Sequence, residues 1–357
     1  MVATLAALLA DKDGASKALG APGREWMTFG DLRALAAEVT ASLRGFGIGA
    51  ADRVAIVLPN GPEMAAAFVT IAQGAVTAPL NPAYQREEYS FYLDDLNAKA
   101  LVVLEGYEGP ALAAAEPLGL SILRLHPVAG GPAGQFRLTG TPAKQPAPAG
   151  LPGPDATALI LHTSGTTSRP KIVPLLQSNL VASAHNIGTS LALTSADRCL
   201  NVMPLFHIHG LIAAVTASLA AGASVWCAPG FDALKFFGWM GEAKPTWYTA
   251  VPTMHQAILS RAGRNAVVIA AQPLRFLRSS SASLPAQVML ELQATFKAPV
   301  IEAYGMTEAT HQMACNPLPP RAQKPGSVGV AAGPLLRIAH EVENRLIHGT
   351  GEVVISG

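Results

Sequence analysis

The sequence predicts an α/β fold of two stacked βαβ-type subdomains, with mostly parallel sheets flanked by helices, followed by the beginning of a small β-barrel subdomain. Three observations predict it. Short apolar runs alternate with helical stretches from Thr28 to Leu104 and again from Ala156 to Ala303, the pattern of parallel strands joined by crossover helices. Between Gly106 and Pro154 that rhythm gives way to frequent proline and glycine, which marks a boundary. After Pro334 only short β segments remain. The expected divisions are 1–153, 154–330 and 331–357.

Each element has a local cause. Met1 to Ala10 is apolar but lacks the basic leader and length of a signal peptide, and Asp11-Lys12-Asp13 ends it, so a short amphipathic helix is expected. Asp31 to Arg44 places Leu32, Leu35, Ala36, Val39 and Leu43 on one helical face, stopped by Gly45 and Gly47. Strands are expected at Arg53–Leu58, Ala75–Leu80 and Ala100–Leu104, with helices at Glu63–Gln73 and Glu87–Leu96 between them. Across the break only Ser121–Leu125 and Gln135–Leu138 read as strands. The second unit opens with Ala156–Leu161, then a helix at Ser178–Leu191 with Ser178 as a cap. Strands at Cys199–Met203, Ser224–Ala228, Thr246–Ala250, Leu274–Leu277 and Val300–Ala303 follow, separated by helices at Leu211–Ala221, Asp232–Ala243 and, from Pro285, to Phe296. Leu335–Ala339 and Glu352–Ser356 begin the small β unit.

Of the 357 residues, 25 are Lys or Arg and 24 Asp or Glu, a balance that leaves no electrostatic footprint for nucleic acid or an acidic membrane surface. Three widely spaced cysteines, Cys199, Cys227 and Cys315, argue against a disulfide framework and a zinc site and fit a reducing cytoplasm. Leu211 to Ala228 has the length of a short spanning helix, but Thr216, Ser218, Gly222 and Ser224 interrupt it, so a buried helix followed by a strand is expected and no membrane span.

Chemistry concentrates behind the strand at Ala156–Leu161. Thr163-Ser164-Gly165-Thr166-Thr167-Ser168-Arg169-Pro170-Lys171 offers hydroxyls, open backbone N–H groups and a cation, which is what a polyphosphate needs. It is not a Walker A loop, because Pro170 and Ile172 stand where that loop needs glycine and Ser or Thr. Three further stretches follow predicted strands at the same sheet edge, where ligands of open α/β sheets bind. They are Pro204 to Gly210 with His207 and His209, Arg278 to Ser283, and Tyr304 to His311. A histidine in an apolar run is more often a satisfied core residue than a ligand, and an isolated Glu308 would read as a surface carboxylate.

Thr-Ser-Gly-Thr-Thr with Pro170-Lys171, together with Tyr304-Gly305-Met306-Thr307-Glu308, resembles the two signature motifs of the adenylate-forming acyl-CoA synthetase superfamily. The resemblance implies an acid–thiol ligase using ATP, Mg2+ and coenzyme A: a carboxylate attacks the α-phosphate of ATP, pyrophosphate leaves, and the acyl group then passes to a thiol. It implies that Thr163, Ser164, Gly165, Thr166 and Thr167, with Lys171, hold the β- and γ-phosphates. Thr307 falls at the α-phosphate and Glu308 at magnesium. Tyr304 would flank adenine, with Ser281, Ala282, Ser283, Glu302, Ala303, Gly305 and Met306 completing that pocket. His207 would sit near the acyl group and reorganise between half-reactions.

In this superfamily, tunnels for long acyl chains are lined by glycine and apolar residues, whereas Ser279, Ser280, Ser281, His207 and His311 suit a small polar acid. Pro204 to Leu211, Trp247 to Thr253, and Glu302 to Pro319 look like the oxalyl-CoA synthetase branch. That likeness implies oxalate or a similar dicarboxylate, its second carboxylate held by His207, Ser281 and His311, with at least one histidine protonated to meet a buried dianion. Ser168 and Ile172 replace glycines common in the superfamily, although Ser-Arg-Pro-Lys occurs in the oxalyl branch. The resemblance stops before the ribose-binding aspartate, the hinge and the C-terminal domain with its catalytic lysine. A large domain whose partner is that absent C-terminal domain is therefore expected. A fatty or aromatic acyl-CoA ligase and a catalytically incomplete nucleotide-binding fragment stay open as alternatives.

Overall fold

A computed structural model describes residues 3–163, 170–343 and 345–356. In chain order the strands are β1 (Lys17–Gly20), β2 (Met27–Thr28), β3 (Arg53–Val57), β4 (Val76–Pro79), β5 (Ala100–Leu104), β6 (Ser121–Pro127), β7 (Phe136–Thr139), β8 (Thr157–Thr163) and β9 (Lys171–Leu176). They continue as β10 (Arg198–Asn201), β11 (Ser224–Cys227), β12 (Trp247–Ala250), β13 (Phe276–Ser279), β14 (Val300–Met306), β15 (His311–Cys315) and β16 (Val330–Ala331). The last three are β17 (Leu335–Ala339), β18 (Leu346–Ile347) and β19 (Glu352–Ser356).

Among the described residues these form a seven-stranded sheet in the order β7-β6-β5-β3-β4-β8-β9, a nine-stranded sheet in the order β16-β15-β14-β13-β12-β10-β11-β1-β2, and a three-stranded antiparallel sheet, β18-β17-β19. The interiors of the two large sheets are parallel and only their margins antiparallel, as the alternation of helices and strands requires. One apolar cluster runs between them, from Leu19 and Val54 through Phe68 and Leu159 to Leu211 and Val225.

Sheet membership cuts across the division expected at 153/154. β1 and β2 complete the nine-stranded sheet, and β8 and β9 complete the seven-stranded one. The physical reason is closure of edges: β1 covers the flank of β11, and the β8–β9 hairpin covers that of β4. The run His209–Ala220 is buried between the sheets: His209–Thr216 is a π-helix that continues as α-helix over Ala217–Ala220. Among the described residues no helix is long and apolar enough to cross a membrane. The strand expected at Leu274–Leu277 lies two residues later, Phe276–Ser279, because β12 and β14 pair with those residues; this brings Arg278 into the sheet.

Candidate active site

The carboxyl ends of β8, β10, β12, β13 and β14 supply the site. Thr163 and Lys171 face each other as the closing pair of the β8–β9 hairpin. The cradle residues Ser164, Gly165, Thr166 and Thr167, with Ser168 and Arg169, lie outside the described residues. One pair back from the turn, His162 Nε2 is 3.0 Å from Asp95 Oδ2 and its ring meets Tyr92 edge-on, which fixes the end of β8. Thr163 Oγ1 donates to Glu308 Oε1 at 3.4 Å, so the two motifs meet across the molecule. Glu308 is carried on a single 3-10 turn, Thr307–Ala309, whose end is anchored where Ser183 Oγ donates to the Thr310 carbonyl at 2.6 Å.

A cavity of about 290 Å³ opens beside β14, lined by Ser281 to Ser283, Glu302 to Gly305, Gly326 and Val328. Tyr304 is 38% exposed and presents a ring surface. Glu302 is buried; its Oε1 accepts from Leu284 N at 2.9 Å, while Oε2 has no partner. Burial raises its pKa above the ordinary carboxylate value, the Leu284 N–H opposing. A buried acceptor without a partner costs stability.

Arg278 is completely buried one residue before the end of β13, in register with Thr249 of β12. Nη1 donates to His209 Nε2 at 3.2 Å and to Thr249 Oγ1 at 3.5 Å. Nη2 donates to His311 Nε2 at 3.1 Å and Gln312 Oε1 at 3.3 Å. His209 also reaches Ser281 Oγ, at 2.9 Å, and its ring stacks on His311 with centroids 5.1 Å apart. Burial first, and then the charge of Arg278, hold both histidines well below the ordinary imidazole pKa. Burial draws Arg278 down only to about 10, so it stays charged at neutral pH. Every acceptor around this cation is neutral.

The AMP-binding enzyme family matches residues 9–357. The chain belongs to that family. It is 43% identical over 317 residues to an oxalate–CoA ligase of Arabidopsis thaliana, covering 87% of this chain and 62% of that protein. It is 38% identical over 337 residues to an oxalate–CoA ligase of Saccharomyces cerevisiae, covering 86% of this chain and 60% of the relative. The crystal structure of ATP-bound MatB from Rhodopseudomonas palustris superimposes with a TM-score of 0.86 at 28% identity, over 100% of this chain and 70% of that one. The chain thus spans about three fifths of the length of these curated relatives.

The chain brings Thr163, Lys171, Thr307 and Glu308 to one edge and Ser281, Ala282, Ser283, Glu302, Ala303, Tyr304 and Gly305 around one cavity, with Met306 exposed beside it. His311 enters the Arg278 network directly, and Ser281 enters it through His209. His207 lies outside that network: it is exposed and its ring sits tilted against Phe206, whereas His209 is in the network through Thr249 and Arg278. The π-helical turn starting at His209 directs that residue, rather than His207, toward β12 and β13. Burial and the charge of Arg278 favour the neutral form of both histidines in the network. Sequence reading passed over Arg278, Thr249 and Gln312. The signal available was parity: with the strand at Phe276–Ser279, Arg278 falls on the face that Thr249 shares.

Proposed function

We propose that this chain is the large domain of an ATP-dependent acid:CoA ligase that activates oxalate, or a similarly small dicarboxylate, as an acyl-adenylate before thioester formation. The observation that carries this reading is Arg278, a buried cation that no carboxylate of the described residues pairs with, set behind Ser281 and His311. A buried unpaired charge is costly, and the second carboxylate of a diacid offsets it. The oxalate–CoA ligase names of two relatives point the same way.

In this reading adenine occupies the cavity beside Tyr304, between Ser281 to Ser283 and the end of β14. The Thr307 hydroxyl donates to the α-phosphate as charge builds there, and Lys171 and the cradle hold the outgoing phosphates. A carboxylate oxygen of the acid bonds to the α-phosphorus while the bond to the bridging β-phosphate oxygen breaks and pyrophosphate departs. Coenzyme A then attacks the acyl carbon through sulfur, losing the thiol proton, and AMP leaves. Glu308, an exposed carboxylate beside the Thr163 hydroxyl, would hold a magnesium ion, which would offset phosphate charge. Three unpaired, buried cysteines fit a reducing cytoplasm.

The deciding measurement is exchange of labelled pyrophosphate into ATP across a panel of acids, made on the chain and on any longer protein that carries it. Oxalate is expected to drive exchange and octanoate to be inert. Exchange driven by octanoate or benzoate and not by oxalate would overturn the substrate assignment.

A further inference from the structure

Arg278 reaches the acid pocket through two imidazoles. Its guanidinium has five N–H donors and no acceptor, and it keeps its proton. An imidazole nitrogen that receives such a donor must hold its lone pair there, so His209 and His311, each met at Nε2, carry their hydrogen on Nδ1 when neutral. Thr249 Oγ1, 2.6 Å from the same His209 Nε2, must donate to it as well. The constraint passes outward by one bond. His209 Nδ1–H donates to Ser281 Oγ, which leaves the Ser281 hydroxyl hydrogen for a partner elsewhere, and Ser281 lines the cavity beside β14. The Nδ1–H of His311 finds no acceptor among the described residues.

The surroundings favour neutral rings. Apart from Arg278, the titratable groups that bear on the pair are His207 from the preceding loop and His255 from the helix Pro252–Ala262. His255 Nε2 is 3.3 Å from the Arg278 carbonyl, its Nδ1 is 3.1 Å from the Tyr248 hydroxyl, and burial lowers its pKa to about 4. Gln312, which takes the remaining Nη2 donor, is held by Ser190 Oγ at 3.1 Å and the Ala332 carbonyl at 3.2 Å. Ser281 and His311 both have positive φ, 73° and 99°, backbone strain of the kind that persists where surrounding contacts over-determine a site.

Building on the diacid reading above, we propose that Arg278 is a positioning residue that fixes His209 and His311 as Nδ1–H tautomers, so that Ser281 and His311 each have a donor free for the second carboxylate, with a permanent charge one layer behind. Selectivity for a diacid would then need no protonated histidine.

The test is the ring nitrogen spectrum of the chain labelled with ¹⁵N-histidine at neutral pH, with His209→Gln and His311→Gln used for assignment. Both residues are expected to show a protonated Nδ1 and an unprotonated Nε2, and Arg278→Met is expected to release this preference. An Nε2–H tautomer or an imidazolium at either position in the wild type overturns the proposal, as does an unchanged Nδ1–H preference in Arg278→Met. Calorimetric affinity for oxalate beside a non-hydrolysable ATP analogue supplies a second readout. It is expected to be flat between about pH 6 and about pH 8.5, whereas binding by an imidazolium would weaken about tenfold per unit above its pKa, and that outcome also overturns the proposal. Absence of oxalate binding with both rings still Nδ1–H would sink the substrate reading and leave the tautomer assignment standing.

Discussion

Glu302 shows how one side chain trades stability against recognition. Its pKa is raised in the folded chain because burial disfavours the carboxylate more than the Leu284 N–H favours it. A group whose folded pKa lies above its unfolded one contributes stability at low pH, and that contribution disappears as pH rises through the folded value. Glu302→Gln keeps an oxygen for Leu284 and removes the charge. Its urea midpoint is therefore expected to exceed wild type at neutral and alkaline pH and to converge with it in acid. ATP affinity should fall, by about tenfold, because the change alters the charge and hydrogen bonding of a wall of the adenine cavity. A variant that binds ATP as wild type does would remove Glu302 from the nucleotide pocket. At this scale the motif residues were legible in the sequence because their spacing is unusual. Arg278 was not, since a lone arginine in a serine-rich stretch reads as solvated until the strand register buries it. Between His207 and His209, two residues apart, only the local backbone decides which one turns inward.

The hairpin of β14 and β15 is the element on which both halves of the site depend. It carries Tyr304 out along one strand, holds Thr307 on the turn between the strands and returns His311 on the other, with a register shift between Tyr304 and Gly305. Gly305 is required there by proximity: a Cβ would lie 1.4 Å from the His311 carbonyl oxygen. Gly305→Ala must therefore pry the strands apart, costing about 1–3 kcal/mol or more. The expected result is a lower urea midpoint together with loss of both ATP and oxalate binding, since the adenine cavity and His311 share the displaced backbone. A variant of wild-type stability would show that the strands do not approach so closely. Most strands and helices of the two parallel units were legible from apolar period and from glycine and proline stops. β1, β2, β9 and β15 were not: two are very short, β9 carries Pro174, and β15, His311–Cys315, lacks an alternating pattern because all five residues are buried. Nor does sequence distinguish a π-helical turn from an α-helical one when every residue of the run is apolar or small.

At the scale of the whole molecule, the two large sheets exchange strands across the composition break, and one apolar cluster joins them. Asn60, from the loop after β3, binds the opposite sheet twice: its Oδ1 accepts from Leu205 N at 2.8 Å and its Nδ2 donates to the Ala228 carbonyl at 3.0 Å. The loop bearing His207 and His209 is thus positioned partly by the other sheet, and the site requires both. A chain cut between 153 and 154 would leave residues 154–357 without β1, baring the edge of β11, whose four residues are all buried, and would strand the β8–β9 hairpin without β4. Exposed strand edges invite association. Calorimetry of the uncut chain should therefore show a single cooperative transition, and the fragment 154–357 expressed alone should aggregate or fail to unfold cooperatively. If that fragment instead unfolded cooperatively as a monomer, or the whole chain melted in two separable steps, the shared strands would not be what binds the two sheets into one unit.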